Sequence, residues 1–172
     1  MSPIDHPITR RFIEDAGNTT QALGVGRVIG QIFAYLYFSE EPRGLDDMKE
    51  ALGISKGSAS MGVRQLEQWG AVQRVWVKGD RKDYYTANDY FGQIVRNIAV
   101  DLMGKRLAGL EASLDAADAD LNAASQTTDP RHQTLDLNTN HKFLKDRVQR
   151  LRAFQEKVNR TWSNPIVKMM LK

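Results

Sequence analysis

The sequence contains no cysteine among its 172 residues. This absence excludes disulfide bonds, zinc fingers and iron–sulfur clusters held by protein thiolates. Long apolar runs are missing too, since the longest, IFAYLYF and IVKMML, are far too short to span a bilayer. The opening residues MSPIDHPITRRF lack the apolar segment of a signal peptide. We therefore expect a cytoplasmic protein that does not associate with membranes.

Arrangements typical of enzymes are also missing. The sequence shows no glycine-rich phosphate loop, nucleophile elbow or pair of catalytic carboxylates. His6, His132 and His141 are scattered, and no two of them have the spacing of metal ligands. The acids Asp46 and Asp47 fall in the first turn of a predicted helix, where they complement the helix dipole. We predict no catalytic activity, no metal and no cofactor.

Positive charge is in small excess overall but is concentrated in one segment. A net charge of +3 and a pI near 9.2 are too mild to indicate nucleic-acid binding by themselves. Residues 56–82, however, contain only two acids, Glu67 and Asp80, and six basic residues, a local balance of +4. The six are Lys56, Arg64, Arg74, Lys78, Arg81 and Lys82.

The region that follows residue 43 has the pattern of two short helices joined by a tight turn. Apolar spacing predicts the first helix over Leu45 to Leu52. Gly53 supplies a residue that tolerates positive φ just past the helix end, and Ile54 can pack into the core. Ser55 is placed to cap the second helix by accepting from the backbone N–H of Gly57 or Ser58.

The second helix has two distinct faces. Ala59, Val63 and Leu66 are spaced to line the side that faces the core. The opposite side is short, polar and basic. Gly57 and Gly62 each lower helix propensity by about 1 kcal/mol, and close approach of a neighbouring helix or a phosphate backbone would explain them.

A β-hairpin is predicted directly after this helix. Ala71 to Val77 alternate and are rich in β-branched and aromatic residues, and Asp83 to Ala87 form the return strand. Residues 78–82 make the turn, with Arg81 and Lys82 at its tip. Helix, turn, helix and hairpin in this order are typical of a winged helix-turn-helix, which presents its second helix to the major groove of DNA.

Long helices flank this unit. Two are predicted before it, over Thr9 to Leu23 and Val28 to Phe38, and residues 40–44 then break the pattern. A long amphipathic helix follows from Asp89 to about Ser125, then a loop over Gln126 to Asn138 and a final helix from about Asn140 to Trp162. The acidic end of the long helix and the basic final helix can pair as an antiparallel hairpin, within one subunit or across two.

The predicted fold class is therefore mainly α with a small β-hairpin wing: a winged helix-turn-helix with long flanking dimerisation helices. Residues 1–88 form the DNA-binding domain, and residues 89–172 form a helical dimerisation region. For Arg64, contact with a base and contact with a phosphate both stay open, and a solvated surface is the alternative for every candidate. The predicted DNA-binding residues are Lys56, Gly57, Ser58, Ser60, Met61, Arg64, Lys78, Arg81 and Lys82.

Two segments also carry a family resemblance. The stretches GISKGSASMGVRQLEQWGAVQRVWVKGDRKDYY and RFIEDAGNTTQALGVGRVIGQIFAYLYFSEEP resemble the GbsR-type branch of the MarR-like transcriptional regulators, from about Arg11 to Tyr90. The resemblance implies a homodimeric winged-helix protein that binds DNA. It further implies a response to osmotic stress or to a choline-like ligand.

Three functional hypotheses follow. The leading one is a homodimeric, sequence-specific DNA-binding regulator, a repressor, whose partner is a double-stranded DNA operator. The alternative is a protein-interaction module in which the winged helix is a scaffold and the helical hairpin binds a partner. An enzyme ranks third.

A small-molecule effector is left open, because nine aromatic residues come from segments expected to converge. They would suit either a quaternary ammonium cage or ordinary core packing, and we favour packing. The nine are Phe33, Tyr35, Tyr37, Phe38, Trp76, Tyr84, Tyr85, Tyr90 and Phe91.

Overall fold

The structure is a computed structural model that describes residues 4, 6–127 and 135–163. The chain divides into two compact units, Met1–Ala99 and Val100–Lys172. Its helices and strands in chain order are α1 (Pro7–Ala22), α2 (Arg27–Tyr37), β1 (Arg43–Gly44), α3 (Leu45–Leu52), α4 (Lys56–Gln68), β2 (Val72–Val75), β3 (Tyr84–Ala87), α5 (Phe91–Thr127) and α6 (Leu135–Ser163). No helix in these ranges is long and apolar enough to cross a membrane.

The helix-turn-helix is confirmed residue by residue. Helix α3 has the predicted bounds and ends at Gly53, whose φ of 64° lies in the left-handed region that glycine adopts without strain. Ile54 packs against the core, and the Ser55 hydroxyl accepts from the Ser58 backbone N–H at 3.0 Å. The turn is therefore closed by one glycine, one apolar side chain and one cap.

The core of the first unit lies under α4. Ala59, Val63 and Leu66 are buried, as their spacing predicts, together with Ile32 of α2 and Met48 of α3. Because the inner face of α4 is held by two other helices, its orientation is fixed and its outer face stays free for contacts.

A three-stranded antiparallel sheet completes the first unit, in the order β1-β3-β2. Strand β2 pairs with β3 from Val72 opposite Ala87 to Val75 opposite Tyr84, so the ladder ends two residues before the predicted end at Val77. Strand β1 has no counterpart in the sequence-based prediction, because a two-residue strand that pairs Arg43 with Tyr85 leaves no alternation to detect.

The start of α5 belongs to the first unit. Ile94 is buried in the core, and Ile98 packs against it. The Asn97 side-chain amide donates to the Trp69 carbonyl at 2.8 Å, which joins α5 to the end of α4. These contacts place the first turns of α5, up to Ala99, in the same compact unit as the helix-turn-helix.

The second unit contains the rest of α5 and α6, which pair within one chain. The Arg152 guanidinium lies 2.9 Å from an Asp115 oxygen and 2.6 Å from an Asp118 oxygen. Both carboxylates raise the pKa of Arg152. The predicted pairing of the acidic helix end with the basic helix is therefore confirmed inside one subunit.

The predicted loop over Gln126 to Asn138 is wrong at both ends. Helix α5 continues to Thr127 and α6 begins at Leu135, while residues 128–134 lie outside the described residues. The loop prediction depends on the Thr, Asp, Pro and Asn residues that this segment collects. Pro130 lies outside the described residues, and each Thr, Asp or Asn costs at most about 0.7 kcal/mol in a helix relative to Ala, which is too little to end a helix alone.

Candidate nucleic-acid interface

The outer face of α4 presents four of the nine predicted DNA-binding residues to solvent. Lys56, Gly57 and Arg64 are exposed, and Met61 is the most exposed apolar side chain of the helix at 74%. Steps of three and four residues join Gly57 to Met61 and Met61 to Arg64, so they share one face. This face therefore combines an exposed glycine, a protruding methionine and a positively charged arginine.

The two predicted serines are less accessible than the rest of the set. Ser58 is half-buried, and its hydroxyl lies 2.9 Å from the Ser55 hydroxyl, so it takes part in the helix cap. Ser60 is also half-buried. Ser58 therefore has a structural partner already, and any contact it makes with a ligand competes with the cap.

The two glycines of α4 differ in their surroundings. A Cβ atom at Gly62 would lie 2.6 Å from Ile32 Cδ1, so glycine allows α4 to pack closely on α2. A Cβ atom at Gly57 would meet only Ser55 Oγ, at 3.7 Å, which is ordinary contact. Close packing thus explains Gly62, whereas Gly57 has no packing reason and leaves the backbone of the first turn open to a ligand.

The wing, residues 76–83 between β2 and β3, is ordered by its acidic residues. Asp80 accepts from the Lys82 backbone N–H at 2.9 Å and from the Tyr84 hydroxyl at 2.8 Å. These hydrogen bonds lower the pKa of Asp80, and the bond from Tyr84 raises the pKa of that hydroxyl. Asp83 forms an ion pair with Arg74 at 3.2 Å. Asp80 therefore shapes the turn of the wing.

The three predicted wing residues are all exposed, but they do not share one environment. Arg81 and Lys82 line a cleft of about 280 Å³ that also includes Lys56. Lys78 lies on the wing outside that lining. The structure therefore brings the start of α4 and part of the wing together around one cleft, which is lined by these three basic residues and by Asp46, Asp47 and Asp83.

Asp46 is a residue of this cleft whose role the sequence analysis missed. Its carboxylate lies 2.8 Å from Lys56 Nζ and 3.9 Å from Lys82 Nζ. The hydrogen bond from Lys56 holds the pKa of Asp46 below its usual value. The pattern around residue 46 indicated only a helix-dipole role, because both lysines are distant in sequence and only the fold brings them close.

The nine aromatic residues do not form one cage. Tyr35 and Tyr85 are buried in the core, while Trp76 and Tyr90 are 77% and 70% exposed. Strand β2 ends at Val75, so Trp76 leaves the sheet and lies on the solvent side of the wing. The expected convergence is therefore wrong for these two residues.

Part of the aromatic set does cluster, near an apolar cleft of about 340 Å³ in the first unit. Phe33 and Phe91 make an edge contact at 6.2 Å between ring centroids, and both line the cleft with Phe12 and Trp69. Asp15 is the one acidic residue of the lining, and it forms an ion pair with Arg11 at 3.7 Å. Aromatic rings around a space are the groups that attract an organic cation.

Helices α3 and α4, the hairpin β2–β3 and the short strand β1 define the first unit as a winged helix-turn-helix. YvaV of Bacillus subtilis (strain 168) is 32% identical over 81 residues, which cover 46% of this chain and 46% of YvaV. The HTH-type transcriptional repressor GbsR of the same organism is 28% identical over 109 residues, 63% of this chain and 60% of GbsR. The resemblance to GbsR-type regulators is confirmed by these matches.

The extent of these similarities is limited. The matched region spans about half the length of the curated relatives, 46% of YvaV and 60% of GbsR. No family model matches the chain. A crystal structure of a transcriptional regulator aligns with 91% of this chain and 96% of its own at 22% identity, with a TM-score of 0.49. So weak a structural match adds nothing to the sequence similarity.

Proposed function

We propose that this protein is a homodimeric DNA-binding transcription regulator, and that it acts as a repressor in the cytoplasm. The observation that carries the proposal is the exposed basic face of α4, capped by Ser55, beside a basic wing. GbsR is named a transcriptional repressor, which supports the same sign of regulation for this chain.

In the proposed complex, α4 enters the major groove and the wing contacts the adjacent backbone. Arg64 is exposed at the centre of the helix face, where its guanidinium can bond a guanine edge or a phosphate. Lys56, Arg81 and Lys82 line the cleft and suit phosphate contacts. Gly57 has no side chain to keep the helix away from the DNA, and the exposed Met61 can make apolar contacts in the groove.

The proposed homodimer is supported by apolar surface that the chain leaves uncovered. Within the second unit, Leu114 is buried, but Leu110, Leu144 and Leu151 are 36%, 45% and 51% exposed. The pairing of α5 with α6 therefore covers only part of the apolar surface of these two helices. A second copy would bury the remainder, and two winged helices would read a two-fold symmetric operator.

The most specific part of the proposal is that the protein responds to a choline-like ligand. The apolar cleft lined by Phe12, Phe33, Phe91 and Asp15 has the chemistry that a quaternary ammonium group needs. Isothermal titration with choline, repeated on Phe33→Ala, would test it. Equal heats for both proteins would remove this cleft as the ligand site.

The proposed function is tested by fluorescence anisotropy with a random duplex across a salt series. For a DNA-binding protein, the logarithm of the binding constant must fall linearly with the logarithm of the salt concentration. The slope is about one unit for each phosphate contact. No binding at low salt, or binding that salt does not weaken, would contradict the proposal and favour a protein-interaction module instead.

A further inference from the structure

The carboxylate of Asp46 lies between two lysines from different parts of the proposed DNA-binding surface. Lys56 begins α4, and its Nζ is 2.8 Å from Asp46 Oδ1. Lys82 belongs to the wing, and its Nζ is 3.9 Å from Asp46 Oδ2. One anion thus contacts both cations in the free protein, across the cleft that separates the helix from the wing.

The other acids of the cleft have different partners. Asp47 accepts from the Gly44 backbone N–H at 2.7 Å, and so fixes the start of α3. Asp83 is paired with Arg74. Asp46 is therefore the cleft carboxylate that joins the helix to the wing.

We propose that Asp46 is an internal counterion that holds Lys56 and Lys82 in the free protein and opposes non-specific binding to DNA. The inference rests on the proposed function. A phosphate that approaches both ammonium groups must either displace the carboxylate or share the lysines with it. Displacement breaks two ion pairs, and sharing brings two anions together. Asp46 therefore lowers affinity for every duplex, whatever its sequence.

Asp46→Asn tests this role because it removes the charge and keeps the size. Its matched control is Glu50→Gln, which removes one charge from the exposed side of the same helix, one turn later. At low salt, we expect Asp46→Asn to tighten binding to a random duplex about three- to tenfold more than the control does. The slope against salt should also become steeper by about one to two units, because both lysines become available to phosphates.

The second arm asks whether the effect acts through the two lysines. In a Lys56→Met, Lys82→Met background, Asp46→Asn should change affinity no more than Glu50→Gln does. Tightening that persists without the lysines would overturn the inference, since it would come from the general field of the protein. Equal effects of Asp46→Asn and Glu50→Gln in the wild-type background would overturn it as well.

A third measurement needs no DNA and separates the inference from the proposed function. NMR titration of the Asp46 carboxyl carbon should give a lowered pKa in the wild type, and a higher one once both lysines are methionine. If the pKa of Asp46 is the same with and without the two lysines, the proposal that Asp46 is their counterion is overturned. Wild-type protein that binds no duplex while its Asp46 titrates as expected would instead refute the proposed function, and with it any effect of this carboxylate on DNA.

Discussion

Gly30 of α2 packs directly against the backbone of Ala16 in α1: a Cβ atom on Gly30 would lie 2.6 Å from the Ala16 carbonyl carbon. Backbone atoms cannot rotate away, so Gly30→Ala must push the two helices apart. We expect a loss of about 1 to 3 kcal/mol in the free energy of unfolding, measured by urea denaturation.

The control for this substitution is Gly92→Ala in the first turn of α5, where a Cβ atom would meet nothing within 4 Å. It should be neutral or stabilising, by up to about 1 kcal/mol, because alanine has the higher helix propensity. Equal stability of the two variants would show that α1 and α2 can separate without cost.

Arg64→Ala should weaken binding to the operator by about 1 to 3 kcal/mol if the side chain reads a base. The fold should be unaffected, because Arg64 is exposed while Val63 and Leu66 carry the packing of α4. Anisotropy with the operator measures the loss. Arg11→Ala on α1 removes the same exposed charge outside the proposed interface and should leave affinity nearly unchanged. Equal affinities of the two variants would remove Arg64 from the interface.

The parts of the fold that were predictable are those set by residues close in sequence. Gly53 and Ser55 define the turn between α3 and α4, and local spacing identifies Val63 and Leu66 as core. The C-terminal end of α5 and the start of α6 were missed because weak helix formers such as Asp136 do not stop a helix whose neighbours continue it.

In the candidate interface, too, some features follow from residues close in sequence and others depend on the tertiary structure. Exposure of Lys56 and Arg64 follows from the period of α4, whereas the meeting of Lys56, Lys82 and Asp46 depends on how the wing folds back. Strand β1 and the solvent position of Trp76 likewise depend on tertiary pairing, which no local pattern encodes.

Replacing Arg81 and Lys82 together by alanine should weaken binding to all duplexes to a similar extent. Both line the cleft, where they suit phosphate contacts, so the loss should fall in the salt-dependent part of the affinity. The slope of log K against log salt should decrease by about one unit for each phosphate that the wing no longer neutralises. An unchanged slope would mean that the wing does not touch phosphate.

Acid should loosen the wing, because it protonates Asp80. The pKa of Asp80 is lowered in the fold by hydrogen bonds from Lys82 and Tyr84, so its stabilising effect is complete above the unfolded pKa of about 3.9. It is lost as the pH falls through the lower, folded value. The Lys82 amide resonance should report this titration by NMR, and its midpoint should rise in Tyr84→Phe. An identical midpoint in Tyr84→Phe would mean that the Tyr84 hydroxyl does not stabilise the carboxylate.

The final prediction concerns the proposed dimer. Leu110 and Leu151 remain exposed after α5 and α6 pair, and the proposed second copy would bury them. Removal of a leucine from an apolar interface costs about 2 to 5 kcal/mol, and adding a charge costs more. Leu110→Asp with Leu151→Asp should therefore give monomers by light scattering at micromolar concentration, and these monomers should lose operator affinity. Ala112→Asp with Gln149→Asp adds the same charge at exposed positions of the same helices and should stay dimeric. Wild-type protein that is already monomeric would contradict the dimer and favour the alternative hypothesis, in which this helical hairpin binds a partner protein.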